Sequence, residues 1–261
     1  MDKNTKRIFV VALVAAVLSS AFAISQIAAT SAVQKVEATQ DAVEQDDGKT
    51  RADSTDHFES HVPSFAASNS NLNQTQITEL RIGLHDLWVE HIVWTRQYIV
   101  AAADDRPDTS FAAERLLANQ EQIGDAIKPY YGEEAGNQLT DLLKDHILIA
   151  VDLLEAAKAG DDAAAQEAED KWYENADDIA TFLSEANPNW TREEIESMLD
   201  EHLSLTKTEA VARLTGDYAT DVATFDALYK HAVSMSDEFT IGIVKQFEDQ
   251  FEVDRNDERA S

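Results

Sequence analysis

From Gln76 onward apolar residues recur every three or four positions, the spacing that lines one face of a helix, and five turn-forming clusters interrupt the recurrence. The first stripe reads Ile77, Leu84, Trp88, His91, Thr95, Tyr98 and Ala102. It stops at "DDRPD", where a proline among acidic turn residues ends a helix. The second starts near Thr109, a residue type that caps helices, carries Ala112, Leu116, Asn119, Ile123 and Ala126, and ends before Pro129. The third carries Leu139, Leu143, His146, Ala150, Leu153 and Ala157 and stops at Gly160. The fourth carries Ala168, Trp172, Asn175, Ile179 and Phe182 and ends before "NPNW". Thr191, with Glu194 three residues on, predicts a capping box for a fifth helix bearing Ile195, Met198, His202, Thr206 and Glu209. After "TGD" a sixth helix is expected to run to about Phe251, with Tyr218, Val222, Phe225, Ala232, Phe239 and Ile243 on its apolar face.

The polar residues on these stripes repeat. His91 and His146 lie 55 positions apart, and His146 and His202 lie 56 apart. Asn119, Asn175 and His231 follow one another at 56, and the acids Glu90, Asp145 and Glu201 keep the step of the histidines they precede. The segments "LLANQ", "WYENA" and "LYKHA" fall in the same phase. This predicts an all-α domain, a six-helix bundle of three αα-hairpin repeats with a period of about 56 residues. The hairpins are expected over 84–127, 139–184 and 195–240, within a helical domain spanning 76–251.

Composition agrees with helices: 8 Gly and 4 Pro in 261 residues leave long uninterrupted windows. The net charge of −29 and pI near 4.3 make a surface that repels phosphate backbones, which argues against nucleic acid as a partner. That acidity fits either a well-solvated face or life in high salt, where screening relieves self-repulsion. With no cysteine, disulfides, thiolate metal sites and cysteine nucleophiles are excluded.

The front of the chain reads differently. "MDKNTKR" is followed by an uncharged run from Ile8 to Ala29. Residues 1–32 therefore read as a signal peptide or an N-terminal membrane anchor. Both readings export the remainder of the chain, as a secreted protein or as one held to the membrane through residues 8–29. Residues 33–75 lack sustained periodicity and are expected to be a disordered polar linker, and 252–261 a disordered acidic tail.

Histidine and asparagine on an apolar stripe must meet polar partners, because burying them unpaired costs a few kcal/mol each. In one reading each hairpin pairs its own His with its own Asn, a polar layer that fixes how the helices align. In the other the layers converge, and His91, His146 and His202 ligate a divalent transition metal. Glu90, Asp145, Glu201, Asn119, Asn175 and His231 would then orient the rings or complete the layer. No HExxH, Glu-x-x-His, P-loop, GxGxxG or G-x-S-x-G accompanies these residues. A non-enzymatic binding or interaction module is therefore expected, with a metal-dependent enzyme at His91, His146 and His202 as the alternative.

At "LWVEHIVWTR", "RLLANQEQIGDAIKPYYG", "DHILIAVDLLEAAKAGD", "WYENADDIATFL", "MLDEHLSLTKTEAVARLTGDY" and "GIVKQF" the chain resembles a family of small helical proteins of spore-forming bacteria. Its members commonly carry the labels acetylglutamate kinase or glycosyltransferase. The resemblance covers roughly residues 80–247 and implies a helical fold without assigning ligand residues. The alternating strand–helix pattern and glycine-rich phosphate loop of a kinase are missing from the sequence. The export segment, linker and strong acidity set this chain apart and imply an exported version.

Overall fold

The computed structural model describes residues 72–253. Among them the chain is all-helical: α1 (Gln74–Ala103), α2 (Thr109–Ala159), α3 (Asp162–Ala186), α4 (Arg192–Thr215) and α5 (Tyr218–Gln246), then a 3-10 turn over Glu248–Phe251. An isolated bridge joins Leu72 to Glu252, and beside it the Asn73 N–H donates to the Phe251 carbonyl at 2.6 Å. The leader over 8–29, the linker as far as residue 71 and the tail beyond 253 lie outside the described residues. Among the described residues no helix is long and apolar enough to cross a membrane.

Helix ends follow from local chemistry. Asn73 caps α1 through its side-chain oxygen, and Thr191 and Glu194 form the expected reciprocal capping box on α4. Gly160 ends α2 in the left-handed region, as its position predicts. At the start of α2 the cap position falls on Asp108, and the Thr109 hydroxyl instead donates to the Arg106 carbonyl at 2.7 Å.

Five helices stand among the described residues where six were expected, because α2 continues through Pro129. The proline removes a single N–H, a loss the helix tolerates here. The turn falls instead at Gly132, whose φ of 86° and ψ of 170° lie in a region that only glycine enters readily. α2 is thus two arms that fold back on each other. They cross closely: a Cβ on Gly124 would sit 2.0 Å from Thr140 Oγ1 and 2.5 Å from the Gly136 carbonyl.

Each helix packs on the next, and α1 also packs on α5, so the first and last helices are neighbours. The shared core takes Trp88 and Ile92 from α1, Ile123 and Leu143 from α2, Trp172 and Ile179 from α3, Leu199 and Leu203 from α4, and Met235 and Phe239 from α5. The expected face of α5 is displaced at its start. Tyr218 and Val222 are exposed, at 56% and 54%, while Asp221 between them is buried. The cause is a charge: Arg96 on α1 donates to Asp221 at 2.6 Å and also to Glu209 on α4. Rotating Asp221 inward to meet this guanidinium turns its apolar neighbours outward.

Candidate functional site: a buried histidine centre

The helical stripes bring the histidines together at one level of the domain. His91 (α1), His146 (second arm of α2) and His202 (α4) are each no more than 4% exposed. The ring centroid of His202 lies 5.5 Å from that of His91, 6.3 Å from that of His146 and 6.2 Å from that of His231 on α5. Two tryptophans flank the group, Trp88 at 5.8 Å from His91 and Trp172 at 5.2 Å from His146. These are contact distances for aromatic rings.

One hydrogen bond recurs around this centre. Asn119 donates to the Leu87 carbonyl at 3.0 Å, Asn175 to the Leu142 carbonyl at 3.1 Å, and His231 Nε2 to the Met198 carbonyl at 3.0 Å. Each acceptor belongs to the residue one helical turn before His91, His146 or His202. At His146 these bonds fix the proton position, because a carbonyl can only accept. Asn175 spends its amino group on Leu142, so its oxygen faces His146 Nδ1 at 2.9 Å and that nitrogen must carry the hydrogen. Asn119 likewise spends its amino group on Leu87, and its oxygen accepts from Gln120 Nε2 at 3.0 Å. The Gln120 amino group also reaches the Leu116 carbonyl at 2.8 Å and His91 Nδ1 at 3.2 Å. That amino group has two hydrogens for three acceptors, with Leu116 and Asn119 the nearer two, so His91 is open to either tautomer.

Burial is the first cause of every shift here. It lowers His91 to about 3, with the neighbouring His146 adding to the effect, and lowers His146 to about 4. His202 is held well below the ordinary range by burial and then by His91, His146 and His231. All three rings are neutral near pH 7. Three buried polar atoms at this level have no protein partner: Gln120 Oε1, Trp172 Nε1 and His202 Nδ1.

The acids beside the histidines point elsewhere, since adjacent helical residues diverge by about 100°. Glu90 pairs with Arg115 at 2.5 Å, Asp145 is exposed, and the largely exposed Glu201 lies 3.6 Å from His231. Amides, not carboxylates, hold the rings of His91 and His146. Among the described residues no group of three or more His, Cys, Asp or Glu side chains is arranged to hold a metal ion.

Gln120 and Trp172 do not stand out for this centre by sequence. Gln120, four residues after Leu116 and three before Ile123, shares the face of the stripe but is polar, and Trp172 reads as core. The polar–polar adjacency "NQ" facing an apolar stripe is the available signal.

A second buried polar cluster lies along α1, α4 and α5. Arg96 bridges Glu209 and Asp221, whose side chains are 1% and 2% exposed, and Arg213 binds Asp104 at 2.6 Å and approaches Asp221 at 3.7 Å. Burial raises the Glu209 carboxyl to about 7 despite Arg96. Compared with known proteins, the chain matches no family model, no curated protein and no solved structure.

Proposed function

We propose that this domain is an exported, non-enzymatic binding or interaction module, built from three αα-hairpin repeats with a period of about 56 residues. The observation that carries the reading is the side-chain-to-carbonyl bond made by Asn119, Asn175 and His231 at one relative position. Two amides and one imidazole do the same job in three hairpins, which supports descent of all three from one unit. Their bonds tie the two helices of each pair together, and the neutral histidines meet where the pairs stack. In this reading the polar centre fixes helix alignment and leaves the acidic outer surface to meet a partner. The leader and linker would carry the domain beyond the cytoplasmic membrane.

The alternative, a metal-dependent enzyme, draws support from the closeness of the His91, His146 and His202 rings. Elemental analysis of the full-length protein, purified with and without added Zn²⁺, Ni²⁺ or Cu²⁺, decides between them. The module reading expects less than one ion per chain and a melting temperature indifferent to chelator. One tightly held ion per chain, lost in His146→Ala, would put the enzyme in its place. Export is read separately by mass spectrometry. Cleavage gives a mature chain starting between Ile24 and Val33, anchoring leaves Met1 intact in the membrane fraction, and an intact Met1 in the cytosol overturns export.

A further inference from the structure

Over its first three turns α5 turns polar residues inward and apolar ones outward. Asp221 and Thr224 are no more than 8% exposed, whereas Tyr218, Val222 and Tyr229 are 56%, 54% and 40% exposed. Arg96 holds this rotation, because it donates to Asp221 at 2.6 Å and lies over the partly buried Phe225 ring at 4.7 Å. Turning the stripe inward would strip a buried carboxylate of its cation. Tyr218, Val222, Phe225 and Tyr229 follow one another at steps of four, three and four, the spacing of a helix-pairing seam. Between Tyr218 and Tyr229 the one exposed charged side chain is Asp226, in a chain with 50 acidic and 21 basic residues. Loss of charge together with gain of tyrosine is the composition of an interface core. We propose that this stripe of α5 pairs with the same stripe of a second copy of the chain, the two helices running antiparallel.

Spacing and charge both select a second copy as the occupant. Steps of four, three and four read the same in either direction. A twofold axis between Ala223 and Thr224 therefore sets each Tyr218 level with Tyr229 of the other copy, and each Val222 level with Phe225. The ends of the stripe carry opposite charges, Asp217 before it and Lys230 after it. An antiparallel pair brings unlike charges level, where a parallel pair would bring like ones. With a net charge of −29, two copies repel wherever their acidic surfaces approach, and repel least where both are nearly bare of charge. The seam is short: residues 218–229 rise roughly 18 Å, so the pair belongs with the small, reversible interfaces below about 1,200 Å². Salt screens the residual repulsion, so pairing strengthens as salt rises. The inference goes beyond the module reading by naming a partner, and it holds whether or not the chain is exported.

Sedimentation equilibrium of the full-length protein in about 0.1 M and about 2 M NaCl tests the pairing. A reversible shift from one chain of 28.9 kDa toward twice that mass, stronger at high salt, is expected. Val222→Lys adds a positive charge, which by charge alone would favour association. It should nevertheless weaken pairing by about tenfold or more, because the ammonium falls in the middle of the seam. Phe111→Lys makes the same change of charge on α2, at a side chain 69% exposed, and should pair at least as well as wild type. Since the chain has no cysteine, disulfide trapping reads the orientation: Tyr218→Cys chains mixed with Tyr229→Cys chains should give mainly mixed dimers. Mainly like-with-like dimers, a single-chain mass in both salts, or equal pairing in Val222→Lys and Phe111→Lys would each overturn the proposal. A single-chain mass with a Tyr229→Cys thiol slow to react would in addition assign the stripe to another part of the same chain.

Discussion

Acid should destabilise this domain through its buried imidazoles, and the size of the effect follows from where they sit. In the unfolded chain a histidine takes up its proton near pH 6.5, whereas the folded chain holds His91 at about 3 and His146 at about 4. Between those limits the unfolded chain binds protons that the folded chain refuses, so stability falls as pH falls. Each tenfold rise in proton concentration within that window is worth ~1.4 kcal/mol per ring, so going from pH 7 to pH 5 costs about 2 kcal/mol for each of these two rings. His202 acts in the same direction. Glu209 acts in the other: its folded carboxyl, raised to about 7, takes up a proton well before the unfolded one does. Over the same interval it returns about 2 kcal/mol. Acidification also relieves the self-repulsion of a chain with a net charge of −29, so the decisive quantity is a difference between variants. Chemical denaturation of the full-length protein at both pH values should show wild type losing about 2 kcal/mol more than His146→Gln, and Glu209→Gln losing about 2 kcal/mol more than wild type. Equal pH dependence in wild type and His146→Gln would refute the claim that burial holds the ring neutral.

Three further outcomes are expected. His91→Ala and His202→Ala should each cost about 2–4 kcal/mol, and because their rings touch, the double variant should depart from the sum by about 1 kcal/mol in a denaturation cycle; strict additivity would mean the rings do not interact. In Gly242→Ala the new methyl would fall 1.9 Å from Trp190 Nε1, pushing the indole off its bond to the Glu238 carbonyl. A loss of about 1–3 kcal/mol with a changed tryptophan emission is expected, and an unchanged spectrum would contradict that packing. Arg96→Met removes the cation between Glu209 and Asp221 and should cost about 3–5 kcal/mol at pH 7, partly regained at pH 5 as Glu209 takes up its proton. The same loss at both pH values would show that Glu209 is already neutral at pH 7.

Helix existence is legible in the sequence because the apolar stripes are long, and the buried polar residues are legible because they interrupt those stripes. His91, Asn119, His146, Asn175 and His202 are all buried, as their positions on the stripes predict. The misplacements share a cause, which is that a stripe records apolar contact and nothing else. Asp221 is hidden because its partner, Arg96, lies 125 residues away on another helix. Gln120 is hidden because an amide beside an amide reads as surface, whereas here both amides act on the His91 ring. The break falls at Gly132 and not at Pro129, although proline is the stronger breaker in general. Backbone geometry rather than the lost N–H decides the outcome, through a φ and ψ open to glycine and closed to residues with a Cβ.

The repeated spacing predicts like residues in like places, yet the chemistry of the centre lies in how the three places differ. Asn175 turns its oxygen toward His146, because its amino group is held by a carbonyl of the preceding helix. Asn119 is held in the same way, and an additional amide, Gln120, donates to its oxygen and also touches His91 Nδ1. In the third place the imidazole of His231 takes over the bond to the carbonyl, and His202 Nδ1 is left without a protein partner. One repeated bond to a backbone carbonyl thus leaves three different surroundings for the three rings.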